Sequence, residues 1–151
     1  MRRFILILSL VMAGCVNAEP PYKYMSATDA QSYTGEVIIE LPGKYRYVGG
    51  IKNGKRHGHG VLITHKGTVM YGEWVDGEQS GNGAVYTAAP FDSIKAGHYE
   101  NSTLTGDAVM IIGGEAIEGP FGKFGIPHGK SVCTKDGVKK ACEFNHGEKV
   151  E

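Results

Sequence analysis

One frame of glycine and aromatic residues returns along this chain at near-constant spacing, and any fold must accommodate it. Tyr47-Val48-Gly49-Gly50-Ile51-Lys52-Asn53-Gly54 comes back as Met70-Tyr71-Gly72-Glu73-Trp74-Val75-Asp76-Gly77, then as Lys95-Ala96-Gly97-His98-Tyr99-Glu100-Asn101-Ser102. Two further copies are Ile117-Glu118-Gly119-Pro120-Phe121 and Lys140-Ala141-Cys142-Glu143-Phe144-Asn145-His146-Gly147. Their third positions, 49, 72, 97, 119 and 142, are 23, 25, 22 and 23 residues apart. A second element keeps the same phase, with leading glycines at Gly58, Gly81, Gly106 and Gly129. Two elements sharing one period of this length mark a repeat architecture.

Each unit reads as a hairpin. A short strand alternates glycine with a large side chain (Tyr47, Gly49, Ile51; Gly72, Trp74), and Asn53-Gly54 or Asp76-Gly77 then reverses the chain. A second strand follows in Val61-Leu62-Ile63 and Ala84-Val85-Tyr86, and Lys66-Gly67 offers the return turn. The 23 glycines among 151 residues, against an ordinary share of about 7%, are thereby assigned to turns and close strand approaches. One hairpin cannot bury its apolar face alone, so neighbours must stack. The expectation is an all-β fold: an elongated, twisted antiparallel β-meander of tandem β-hairpin repeats. The stripe Tyr47, Trp74, Tyr99, Phe121 and Phe144, with Tyr86, is a candidate binding surface, although core packing between hairpins is the favoured reading.

The stretch Tyr47 to Tyr86 resembles two consecutive MORN (membrane occupation and recognition nexus) repeats, whose form is Y-x-G-x-W/F-x-N/D-G-x-x-x-G-x-G followed by a short apolar strand. The resemblance extends, weakening, to Gly147: Asn101-Ser102 replaces N-G, Gly122-Lys123-Phe124 replaces the turn, and Cys142 replaces a glycine. Tyr33-Thr34-Gly35-Glu36-Val37 reads as an incomplete first copy. The resemblance implies a scaffold or interaction module attached to a membrane or to other copies of itself.

The N-terminus reads as an export signal. Arg2 and Arg3 precede an apolar run from Phe4 to Ala13, too short for the roughly twenty residues a bilayer span needs. Met12-Ala13-Gly14-Cys15 resembles a bacterial lipobox, which implies lipidation at Cys15. A cut after Val16-Asn17-Ala18 is the rival and releases a soluble protein. Residues 1–14 are thus read as signal peptide, 15–32 (with Pro20-Pro21) as tether, and 33–151 as the repeat domain, with units starting near 47, 70, 95, 117 and 140. The expected location is periplasmic, anchored to the outer membrane, or alternatively soluble in the periplasm or secreted. In an exported chain the remaining pair, Cys133 and Cys142, implies a disulfide across the Asp136-Gly137 turn.

Charge and motifs narrow the function classes. The formal net charge is zero, and loss of Arg2 and Arg3 leaves 14 basic against 16 acidic residues, so nothing favours nucleic acid. His57 and His59 share a strand face, but Ser80 and Asn82 at the matching positions of the next unit are poor ligands. His128 lies three units, about 30 Å, further on. No metal or other cofactor is expected. The sequence carries no G-x-S-x-G, phosphate loop or calcium nonapeptide, so an enzyme is not expected either. The leading expectation is a lipid-anchored module for a protein partner of unknown identity or for self-association. The alternative is an inhibitor or immunity protein against an envelope-directed toxin or hydrolase, and recognition of lipid or glycan by the aromatic stripe is a third reading.

Overall fold

Asn53 and Gly54 both adopt positive φ, 49° and 76°, the combination a two-residue type I′ hairpin turn requires. Asp76-Gly77 and Asp136-Gly137 repeat it, and Asn101-Ser102 keeps φ values of 48° and 63° although it lacks the glycine. Ser102 is held by the preceding unit. Its N–H donates to the Gln79 carbonyl at 2.8 Å, and its hydroxyl accepts from the Gln79 N–H at 3.2 Å. Corresponding links run from Gly54 N–H to Tyr33 O, from Gly77 N–H to Arg56 O and from Gly147 N–H to Pro127 O, at 3.1, 2.9 and 2.9 Å. Backbone hydrogen bonds therefore tie one turn to the unit before it.

The computed structural model describes residues 22–150, so Cys15, the apolar run and the rival cut after Ala18 lie outside the described residues. The strands are β1 (Lys23–Met25), β2 (Gly35–Leu41), β3 (Tyr45–Lys52), β4 (Lys55–Thr64), β5 (Val69–Val75), β6 (Glu78–Thr87), β7 (Ser93–Glu100), β8 (Thr103–Ile112), β9 (Glu115–Phe121), β10 (Gly129–Lys135), β11 (Val138–Asn145) and β12 (Glu148–Val150). They form one sheet of 12 strands in chain order, roughly 53 Å from first to last at the usual strand spacing. The expected all-β meander of hairpins is the fold. One pair departs from it: β1 runs parallel to β2, Lys23 facing Val37, after which a 3₁₀ turn at Asp29–Ser32 leads into β2.

Residues 22–32 thus belong to the folded unit, whereas the sequence suggested a tether as far as residue 32. Ala30 is buried in the same cluster as Val37, Ile39, Tyr47, Ile51, Leu62 and Trp74. A strand of three residues is too short to show a period, which is why pattern alone left it out.

Cross-strand register explains the shared phase of the two sequence elements. Gly58 faces Trp74, Gly81 faces Tyr99, Gly106 faces Phe121 and Gly129 faces Phe144. On the same inner face Gly49, Gly60, Gly72, Gly83 and Gly97 pair in succession across five strands. Side chains fill the groove this row leaves. A Cβ on Gly60 would lie 2.3 Å from the Tyr47 hydroxyl. Trp74 packs edge-on against Tyr47, centroids 6.0 Å apart, a geometry worth about 0.5–1.5 kcal/mol beyond burial. The Trp74 indole N–H donates to the Gly60 carbonyl at 3.2 Å. Register shifts between Gly49 and Ile51, Gly72 and Trp74, and Ala96 and His98 place a bulge in each of the first three units. At these points glycine is needed: Gly72 has φ +144°, and a Cβ there would sit 2.5 Å from the Asn82 carbonyl oxygen. Further along, Met110 packs against both the Tyr99–Leu104–Ala108–Phe121 cluster and the Ile117–Cys133–Phe144 cluster, so the core is continuous there.

Gly58 has φ +74° with no neighbour within 4 Å of a Cβ. Chemical denaturation should therefore show Gly58→Ala costing about 1 kcal/mol and Gly72→Ala about 2–3 kcal/mol, since only the second adds overlap to strain. Equal costs would remove the close approach from the account.

Candidate functional site

Five of the six residues proposed as a binding surface are not on a surface. Tyr47, Trp74, Tyr99, Phe121 and Phe144 are between 1% and 6% exposed, because the inner-face glycines give their rings room to lie down on the sheet. Burial lifts the Tyr47 phenol well above its ordinary value, the nearby Arg56 charge offsetting only part, and pushes the Tyr99 phenol up to about 12. Both hydroxyls are satisfied by backbone, Tyr47 donating to Gly50 O at 2.8 Å and Tyr99 to Lys95 O at 3.1 Å. Arg56 stacks its guanidinium on Trp74, 4.8 Å from the ring centroid, closing the inner face further. Tyr86 stands apart from the stripe, exposed on the other face and donating to Asp92 at 3.0 Å.

Cys133 and Cys142 are bonded, their Cα atoms 5.9 Å apart. They sit diagonally, since Cys133 faces Lys140 and Cys142 faces Ser131. The bridge helps line an open inner-face cavity of about 460 Å³, with Lys135, Val138 and Lys140 on its wall. Lys149 spans to Glu115 at 2.9 Å. A loop this short makes the bridge worth about 2–3 kcal/mol. Among the described residues no group of three His, Cys, Asp or Glu is placed to hold a metal. His128 instead stacks on His146, centroids 4.8 Å apart, a contact between neighbouring units that the sequence did not suggest.

The sequence reading also missed the outer face. Following the register across it, Ile38, Val48, Val61, Tyr71, Ala84, Ala96 and Val109 face one another in succession on β2 to β8. A second row runs Ile63, Val69, Tyr86, Ile94, Ile111 and Ala116 on β4 to β9. These two rows form a band without a charge, and Ile63, Tyr71, Tyr86, Ile94, Val109 and Ile111 in it are 37–57% exposed. Acids and bases border it, with Glu40 and Arg46 at one end, Glu118 and Lys139 at the other, and Glu73 and Asp107 along one side. The signal was present in the sequence. Val61-Leu62-Ile63, Ala84-Val85-Tyr86 and Val109-Met110-Ile111 are uninterrupted apolar runs, and a strand apolar on both faces reads that way.

Below pH 10 the phenol of Tyr99 is protonated in both folded and unfolded chains. Between about 10 and about 12 the unfolded phenol ionises while the buried one stays protonated, so stability falls as pH rises through that window. Tyr99→Phe should flatten this alkaline loss in denaturation curves; an unchanged loss would mean that Tyr99 is not buried.

No curated protein matches the chain. The family model of the MORN repeat matches residues 47–69 and 71–84. Those residues are the two consecutive units in which Tyr47 and Trp74 pack over the glycine row, so it is this stretch of the chain that is similar to MORN repeats.

Proposed function

We propose that this chain is a non-enzymatic interaction module, exported and held to a membrane by lipid on Cys15, that docks a protein partner on the outer face of its sheet. The observation that carries the reading is the uncharged two-row band on that face. Its extent is roughly 500 Å² at ordinary strand and residue spacings, near the upper range for a patch left bare on a monomer. MORN repeats are generally protein or membrane interaction modules, which supports a non-catalytic role. The inner face is filled by the chain's own aromatics, which leaves the outer one to bind. Edge addition is the weaker route: β1 and β12 are each three residues long and carry lysine or glutamate, features that blunt a sheet edge.

Site-directed photo-cross-linking in intact cells tests this. A photoreactive side chain at Tyr71 or Ile94 should yield a specific adduct, and one at Lys123, on the connection between β9 and β10, should not. Adducts from Lys123 alone would overturn the outer-face reading. An adduct with a toxin or hydrolase would make the module its inhibitor. The anchor is read separately from the mass of the mature N-terminus: a diacylated Cys15 is expected, and a free amine on Glu19 would refute the lipid.

A further inference from the structure

The inner face is filled in every unit but the last. The first residue of the repeated frame is Tyr47, Met70, Lys95, Ile117 and then Lys140. Tyr47 and Ile117 are 1% and 5% exposed, and Met70 packs against the first core cluster. Lys95 turns its ammonium to the Gly125 carbonyl at 3.0 Å. Lys140 breaks the series: it is exposed and lines the cavity of about 460 Å³ beside the Cys133–Cys142 bridge. Strand pairing explains the space. Strand β12 pairs only with Glu143, Phe144 and Asn145 of β11, so among the described residues no strand flanks Val138 to Cys142 on that side.

The wall of this cavity is selective. Cys133, Cys142, Ala141 and Val138 give it an apolar surface. Of its charged residues, Lys149 is matched by Glu115 at 2.9 Å, which joins β12 to β9. Lys135 and Lys140 form no ion pair among the described residues, where the pairs are Lys139–Glu118 and Lys149–Glu115. Asp136 is the second acid of the wall, so three lysines face two carboxylates and one positive charge is in excess. Lys135 faces Val138 while Lys140 faces Cys133, which sets the two lysines diagonally on one face, within reach of a single small anion. An apolar concavity with two converging cations takes a ligand that has an apolar body and an anionic end.

We propose that this cavity binds a small aromatic carboxylate, its ring against the Cys133–Cys142 bridge and its carboxylate between Lys135 and Lys140. A ring is what this face accommodates at the same frame position in the first unit, where Tyr47 lies over Gly49 and Gly60. The polarizable sulfurs of the bridge favour contact with a ring. The ligand thus stands where the chain's own side chain stands in earlier units, and the bridge is a wall of a binding site as well as a staple. The site is open to water and its lysines are exposed, so affinity is low, with Kd near 1 mM. It lies on the opposite face from the apolar band and does not depend on what docks there.

Amide NMR of the isotope-labelled full chain tests this with 2-naphthoate as probe and 2-naphthylmethylammonium as its cationic counterpart. The carboxylate should shift the amides of Lys135, Lys140, Ala141 and Cys142 saturably, and the ammonium should not. Lys140→Glu or Lys135→Glu should weaken binding about 3- to 10-fold. Lys140→Tyr, which supplies the ring from the chain itself, should abolish the shifts and raise the denaturation midpoint. Circular dichroism and intact mass check that each variant is folded with its bridge formed. No shifts at about 10 mM probe, equal shifts with the ammonium, or binding unchanged in Lys140→Tyr would each overturn the proposal. Shifts centred on Tyr71 and Ile94 would overturn it too, by placing the probe on the outer face, and would leave the outer-face reading standing.

Discussion

A glycine at positive φ faces an aromatic ring of the next hairpin at four places: Gly58 with Trp74, Gly81 with Tyr99, Gly106 with Phe121 and Gly129 with Phe144. The rest of the molecule depends on that pairing. A single sheet has no opposing layer to bury its rings, so each ring lies across the sheet, which needs a strand without a side chain opposite it. The adjoining glycine row supplies the depth, and the bulges at Gly49–Ile51 and Gly72–Trp74 re-aim the strand to reach it. Hairpin turns bonded to the unit before them fix the order of stacking.

The repeat, the hairpins and the type I′ turns were legible because each rests on a local rule: alternation along a strand, or Asn-Gly and Asp-Gly between two strands. The environment of the aromatics was open, since the spacing that puts Tyr47 and Trp74 on one face does not say whether that face is core or groove. Register decides it. A sequence shows that Gly58 and Trp74 keep one phase, but not that they are opposite each other. The disulfide between Cys133 and Cys142 was legible as a pair in a short loop, whereas its diagonal seat was not. Strand β1 was illegible for the opposite reason: it borrows its order from β2 and has no pattern of its own.

Filling the inner face with the chain's own side chains has a consequence for function. A groove of exposed aromatics would point to a small ligand. Buried aromatics leave the other side to consider, where Val61, Ile63, Tyr71, Ile94 and Ile111 present an apolar band with charges at its ends and along one side. Such a face suits association with another protein. The later units carry the same design with fewer glycines: Ser131 and Cys142 stand where the glycine row ends, and the covalent bridge constrains a hairpin that packing holds less fully.

The most direct test of the inner-face core uses the single tryptophan of the chain. Trp74 is 2% exposed, with its indole N–H donated to a backbone carbonyl. Its fluorescence in the native protein should be blue-shifted and poorly quenched by acrylamide, moving to the red and becoming quenchable only as the chain unfolds. A red-shifted, freely quenched native emission would mean that the aromatic stripe faces solvent, and the account of the core and of the binding face would fall together.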